Sequence, residues 1–152
     1  MIQKNGEGNM KEIVLISGGF DPIHSGHIKL IQDASNFGSI VVLLNSDKWL
    51  RNKKGKEFLP FDEREIIMGA LKDVIDVLSF DDSDNTCIDG IKKAVIKYPS
   101  VIIKFANGGD RNSGTTPEAE FCSNNTIETI WGIGGSNKSN SSSWILKKWN
   151  QK

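Results

Sequence analysis

Short apolar runs alternate with helical stretches from Glu12 onward, and that alternation restricts the fold more than any other feature of the chain. Glu12–Ser17 (EIVLIS), Ser39–Leu44 (SIVVLL), Ile75–Ser79, Val101–Lys104 and Thr126–Trp131 read as strands. His27–Asn36, a stretch opening at Asp62, Cys87–Tyr98, Thr116–Asn124 and Ser142–Trp149 read as helices. Asp62 is expected to cap its helix, with Glu65 in the capping-box position and Ile66, Ile67, Ala70 and Leu71 as the apolar face. Ile88, Ile91, Ala94, Val95 and Tyr98 recur at helical spacing. Thr116 followed by Pro117 reads as an N-cap with proline at the first helical position. Asn45–Pro60 reads as a polar loop. Such alternation predicts an α/β domain, a parallel five-stranded sheet between two helical layers. Sheets of this kind bind ligands beyond the carboxyl ends of their strands, at the point where the strand order reverses. The chemistry is therefore sought in the loops that follow the strands.

Composition narrows the partners. A chain of 152 residues suits one domain, expected over 11–152, with 1–10 as a flexible tail. Nineteen basic and nineteen acidic side chains cancel, so no global field gathers nucleic acid or anionic lipid. Any anion site has to be local. No apolar run approaches the ~18–20 residues that cross a bilayer, and Met1–Lys11 lacks the apolar core of a signal peptide. Cys87 and Cys122 lie far apart with no metal-ligand spacing, and are read as free thiols of a reducing, cytoplasmic compartment.

The loop after the first strand is the most informative segment. It reads Gly18-Gly19-Phe20-Asp21-Pro22-Ile23-His24-Ser25-Gly26-His27. Gly18 and Gly19 would let the backbone approach a ligand. His24 and His27, the two histidines of the chain, stand three apart at the mouth of a helix, whose N–H groups and dipole favour phosphate. Two histidines without a third ligand make a poor zinc site, and no protein metal site is expected. The stretch Gly19–His27 resembles the Gly-x-Phe-Asp-x-x-His-x-Gly-His signature of the cytidylyltransferase-like nucleotidyltransferases. That resemblance implies a Rossmann-like domain, usually a homodimer. CTP or ATP would be the nucleotide substrate, with Mg²⁺ carried mainly by the triphosphate. It also implies that both histidines hold the triphosphate and stabilise charge at the α-phosphorus. Gly18, Gly19, Phe20, Asp21 and Gly26 are then expected around the nucleotide, with Asp21 either touching the metal indirectly or tying the loop through backbone N–H groups.

The resemblance continues along the chain. Asn45-Ser46-Asp47, the loop cations Arg51, Lys53, Lys54 and Lys56, and Phe61-Asp62-Glu63-Arg64 are similar to the same segment of heptose-1-phosphate adenylyltransferases and glycerol-3-phosphate cytidylyltransferases. It implies phosphate contacts from Arg64 and from Lys53 or Lys54, and nucleotide-side places for Asn45 and Asp47. Asn107-Gly108-Gly109-Asp110-Arg111 is similar to the Lys-Gly-Gly-Asp of the heptose-phosphate enzymes, although Lys104 sits too early to match its lysine. Gly108, Gly109 and Asp110 are expected at the base or ribose. Gly134–Ser143 can match the hydroxyl part of a Gly-Ile-Ser-Thr-Thr-like motif through Ser141, Ser142 and Ser143, with Lys138 as the nearest cation. Trp131, Trp144 and Trp149 read as core or interface residues rather than base-stackers.

Together these readings imply transfer of CMP or AMP to a phosphorylated sugar or polyol, with release of pyrophosphate. Transfer of this kind needs positioning and charge stabilisation more than covalent chemistry. The acceptor's phosphate oxygen is already nucleophilic, so direct in-line attack without a general base is expected. Two alternatives remain. One is an adenylyltransferase of coenzyme synthesis acting on phosphopantetheine, nicotinamide mononucleotide or flavin mononucleotide. The other is a nucleotide-binding regulator without turnover.

Overall fold

In the computed structural model, residues 12–108, 116–133 and 142–150 are described. The strands are β1 (Glu12–Gly18), β2 (Ser39–Leu44), β3 (Val74–Ser79), β4 (Ile102–Gly108) and β5 (Glu128–Ile133). The helices are α1 (Ser25–Ala34), α2 (Asp47–Lys54), α3 (Phe61–Gly69), α4 (Ile88–Lys97), α5 (Pro117–Asn124) and α6 (Ser142–Asn150), with a 3₁₀ turn over Ser35–Phe37. All strand pairs are parallel and the order is β3-β2-β1-β4-β5. The chain has the expected α/β, Rossmann-like architecture.

β1 is the centre of the sheet, and its side chains alternate between two cores as a strand's period dictates. Ile13 and Leu15 join Val41, Leu43 and Phe105 on one face, closed by Ile91 and Ala94 of α4 and Cys122 of α5. Val14 and Ile16 join Val42 and Leu44 on the other, closed by Ile31 and Ala34 of α1 and Met68 of α3. Each such aliphatic side chain contributes roughly 1.5–3 kcal/mol by leaving water. Both cysteines are free and buried in the first core. No helix among the described residues is long and apolar enough to cross a membrane.

Since β2 follows β1 to one side and β4 pairs with β1 on the other, the order reverses between β1 and β4. The loops leaving these two strands flank the switch point.

The structure corrects several local readings. Within Asn45–Pro60, expected as loop, residues Asp47–Lys54 form α2, capped by Ser46 Oγ, which accepts from Trp49 N at 3.1 Å. Only Leu50 of that helix is buried, so no apolar periodicity announces it. α3 is capped at Pro60 and not at Asp62, which lies in its first turn beside Glu63. Its buried face is Arg64 and Met68, while Ile66 is 67% exposed. Val95 is likewise exposed on α4, which buries Ile91 and Ala94. β4 runs on to Gly108, and Lys104 points to the far end of the sheet, where its Nζ meets Glu12 Oε1 at 2.5 Å. Trp149 is 76% exposed and is not a core residue. The Thr116 cap holds as read: its Oγ1 accepts from Ala119 N at 3.0 Å, with Pro117 opening α5.

Candidate active site

The chain leaves β1 through Gly18 and Gly19, and both glycines are closely packed. A Cβ on Gly18 would stand 3.1 Å from the Phe20 ring. One on Gly19 would stand 2.7 Å from Leu50 Cδ2, a collision with α2. Phe20 itself has φ 50, in the left-handed region that bulky residues rarely occupy. Its buried ring meets the edge of His27, centroids 4.7 Å apart. The absence of a side chain at these glycines admits α2 and Phe20 to the loop.

His24 is the N-cap of α1 and His27 the third residue of its first turn. The two close a reciprocal cap: Gly26 N donates to His24 Nδ1 at 3.0 Å, and His24 N donates to His27 Nδ1 at 3.2 Å. Two amide groups otherwise orphaned at a helix start are satisfied in this way. An Nδ1 that accepts carries no proton, so the hydrogen-bond pattern assigns both rings to the neutral tautomer with hydrogen on Nε2. The rings stack, centroids 3.8 Å apart and 28° from parallel. Burial, and then the neighbouring His24, push the His27 pKa down to about 3. The site thus presents neutral imidazole N–H donors at a helix N-terminus, beside the switch point.

Asp21 is the anchor below this pair. Its side chain is fully buried and accepts from Phe58 N at 2.6 Å and Leu59 N at 2.7 Å. Lys54 Nζ lies 3.1 Å from Asp21 Oδ2 and also donates to the Asp21 carbonyl. The loop-tying role weighed for Asp21 is the one its contacts describe. Those contacts also separate the two lysines. Lys54 reaches the histidine loop, whereas Lys53 Nζ sits 4.8 Å above the centroid of the Trp49 ring.

Arg64 joins the loops around the histidine segment. Its side chain is completely buried, and its guanidinium bonds Leu59 O (2.9 Å), Gly19 O (3.0 Å), Asn45 O (2.9 Å) and Asp47 Oδ1 (2.6 Å). Four of its five N–H donors are spent on the loops after β1 and β2 and on the start of α2. It is a clamp that sets those loops against each other. Asp47 answers Arg64. Asn45 is buried, its N donating to Gly18 O at 3.0 Å and its Nδ2 to Asp82 Oδ2 at 3.0 Å.

Asp82, in the loop after β3, was not singled out from sequence. It is buried and also accepts from Ser46 N and Ser46 Oγ, each at 2.8 Å. Asp82 therefore holds the residue that caps α2. The strand-end rule applied to Asp81-Asp82-Ser83-Asp84 would have pointed to it.

Gly108 ends β4 at the switch point, and Asn107 before it is buried. Gly109, Asp110, Lys138 and Ser141 lie outside the described residues. Ser142 and Ser143 open α6, and their side chains lie outside them too. Asp21, Asp47 and Asp82 all spend carboxylate oxygens on protein donors. Among the described residues no group of three or more acidic, histidine or cysteine side chains is placed to hold a metal ion.

The profile of the cytidylyltransferase-like family matches residues 15–120. The chain belongs to the cytidylyltransferase-like family. The match spans the histidine loop, the Lys54 loop, Arg64 and the whole of β4. The family is one of nucleotidyltransferases, the enzyme class expected from the sequence. Among curated relatives, the bifunctional protein HldE of Citrobacter koseri is 32% identical over 137 residues, covering 88% of this chain and 24% of HldE. HldE of Geobacter metallireducens is 40% identical over 90 residues, 57% of this chain and 18% of HldE. The chain thus spans about a quarter or less of the length of these relatives. Among solved structures, a lipopolysaccharide core biosynthesis protein from Thermoplasma volcanium superposes with TM-score 0.59 at 22% identity, covering 87% of this chain and all of the other. A putative nicotinate-nucleotide adenylyltransferase from Vibrio parahaemolyticus gives 0.52 at 18% identity, covering 91% of this chain and 86% of the other. These two likenesses establish the fold.

Proposed function

We propose that this chain transfers CMP or AMP from CTP or ATP to a phosphorylated sugar or polyol. The observation that carries the reading is the reciprocal histidine cap at the start of α1, which engages both Nδ1 atoms and leaves the ring hydrogens on Nε2. A phosphate oxygen of the acceptor attacks the α-phosphorus. The new P–O bond forms as the bond from that phosphorus to the α,β-bridging oxygen breaks, and pyrophosphate leaves. His24 and His27 donate hydrogen bonds to the non-bridging and bridging oxygens as negative charge builds there, which is where preorganised donors act most strongly. Being neutral, they give up no proton. The acceptor phosphate is already anionic, so no base is needed.

Lys54, on the C-terminal turn of α2, adds a positive charge beside the histidine loop. Arg64, Asp21 and Asp82 are positioning residues: they fix the loop, the lysine and the start of α2. Gly108, Gly109 and Asp110 serve the base or ribose, and Ser141, Ser142 and Ser143 the β- and γ-phosphates. Mg²⁺ brought in with the nucleotide would supply charge neutralisation for the triphosphate. A cytoplasmic homodimer completes the proposal. The resemblance of Asn45–Arg64 and of Asn107–Asp110 to segments of heptose-1-phosphate adenylyltransferases supports a sugar phosphate as acceptor.

The test is pyrophosphate release by purified protein with Mg²⁺, each of four NTPs, and glycerol 3-phosphate, heptose 1-phosphate, phosphocholine or phosphoethanolamine. Release with one NTP and a sugar or polyol phosphate is expected. A second panel adds nicotinamide mononucleotide and phosphopantetheine, and release with one of these instead would move the chain to coenzyme synthesis. Nucleotide binding without release on any acceptor would make it a regulator.

A further inference from the structure

Phe20 occupies a backbone position that suits glycine. Its φ of 50 lies in the left-handed region, where a side chain crowds the backbone and glycine does not. Gly18 and Gly19 come just before it, and a third glycine would relax the turn. The chain keeps a phenyl ring there and carries the strain. Strain of this kind persists only where the surroundings hold it, and it gathers at functional sites.

The ring has two sets of neighbours. It is buried in the core on the α1 side of the sheet, in one cluster with Ile16, Ile31 and Ala34. A Cβ on Gly18 would stand 3.1 Å from its Cε2 and 3.3 Å from its Cζ, so glycine at 18 leaves the ring its place. The other neighbour is the His27 imidazole, with centroids 4.7 Å apart and planes at 67°. That distance and angle belong to a favourable edge-to-face pair.

His27 needs such support. The hydrogen bond from His24 N to its Nδ1 is 3.2 Å long, at the far end of the usual range. A bond of that length holds the atom but lets the ring rock about it. His24 stacks on the imidazole at 3.8 Å, but His24 is itself the cap residue of the loop. Of the two rings that touch His27, only Phe20 belongs to the core. Rocking the imidazole displaces Nε2, and a misplacement of about 1 Å at a reacting group can cost about a hundredfold in rate. We infer that Phe20 is a positioning residue: held in a strained turn over Gly18, it fixes the plane of the His27 ring and with it the direction of Nε2–H. The kinetic part of this inference rests on the transferase reading.

The experiment uses the full chain with Phe20→Leu, Phe20→Gly and Gly18→Ala. The first keeps an apolar side chain in the core and removes the ring. The second removes the ring and relaxes the turn. The third leaves Phe20 in place and presses a methyl group against its ring. Turnover is followed by pyrophosphate release, and the His27 ring by NMR of protein labelled with ¹⁵N-histidine, which needs no turnover. Phe20→Leu should lower kcat about ten- to hundredfold. Its KM for NTP should change by about threefold or less, and the His27 ring signals should broaden or double. Phe20→Gly should lose kcat to the same extent despite its relaxed backbone. Gly18→Ala should lower kcat in the same direction, which keeps the test open if the Phe20 variants fail to fold. A wild-type kcat in any folded variant would overturn the assignment. So would a loss of kcat with unchanged His27 signals, because Phe20 would then act through another group. A wild type that releases no pyrophosphate, with His27 signals that still respond to Phe20→Leu, would overturn the transferase reading and leave the positioning of His27 standing.

Discussion

His27 shows how much of the site is decided by a single atom. Its Nδ1 accepts from the His24 amide, so the ring hydrogen sits on Nε2, and burial keeps the ring neutral with a pKa near 3. Imidazole NMR should therefore find the Nε2–H tautomer with no titration near 6.5; a protonated Nδ1 at pH 6 would contradict the assignment. Linkage gives the sign for stability. The unfolded ring takes up a proton near 6.5 and the folded one only near 3. The contribution of His27 is thus complete above about pH 6.5 and declines as pH falls toward 3, a trend that His27→Ala should remove from the pH dependence of urea unfolding. The same substitution should lower kcat by about a hundredfold or more, the loss seen when a preorganised donor is removed. Arg64→Met strands the Asp47 carboxylate and three carbonyls in a buried site. It should cost about 3 kcal/mol in urea unfolding, and Arg64→Lys should recover little, since an ammonium cannot span four acceptors. The histidine motif was legible because it is contiguous. The clamp role of Arg64 was not, since its acceptors come from positions 19, 45, 47 and 59, brought together only by the fold.

α2 gathers the consequences at the scale of elements. It carries Lys54 to Asp21 and packs Leu50 against Gly19, and its start is held by Ser46 and Asp82. Ser46→Ala should cost about 1 kcal/mol, the usual value of a lost N-cap. Amide hydrogen exchange should quicken along Asp47–Lys54 more than in β1 or β2, with Asp82→Ala giving the same local pattern; uniform acceleration would count against a local anchor. Gly19→Ala pushes a methyl into Leu50 and should shift α2, lowering kcat/KM more than the stability loss accounts for. This helix was invisible in the sequence because it buries one residue, and its cap works through an aspartate 36 positions away. α3 was found, but its face was misread, since its buried stripe begins with an arginine. The N-cap of α5 was readable because Thr116 and Pro117 act on their own neighbours.

The arrangement of the whole molecule follows from β1 being central and apolar on both faces, which requires helices on each side and puts a loop with two histidines where the strand order reverses. That much could be read from the alternation of runs. The identity of the acceptor could not, because it depends on which side of the switch point each loop occupies. The central claim is that a nucleotidyl group, and not a phosphoryl group, moves. The most direct test supplies CTP or ATP labelled with ³²P at either the α- or the γ-position, together with Mg²⁺ and a sugar phosphate. The α-label should appear in the nucleoside-diphosphate-linked product and the γ-label in pyrophosphate, with no label retained on the protein. Transfer of the γ-label to the acceptor, or an α-labelled protein intermediate, would contradict single in-line displacement at the α-phosphorus.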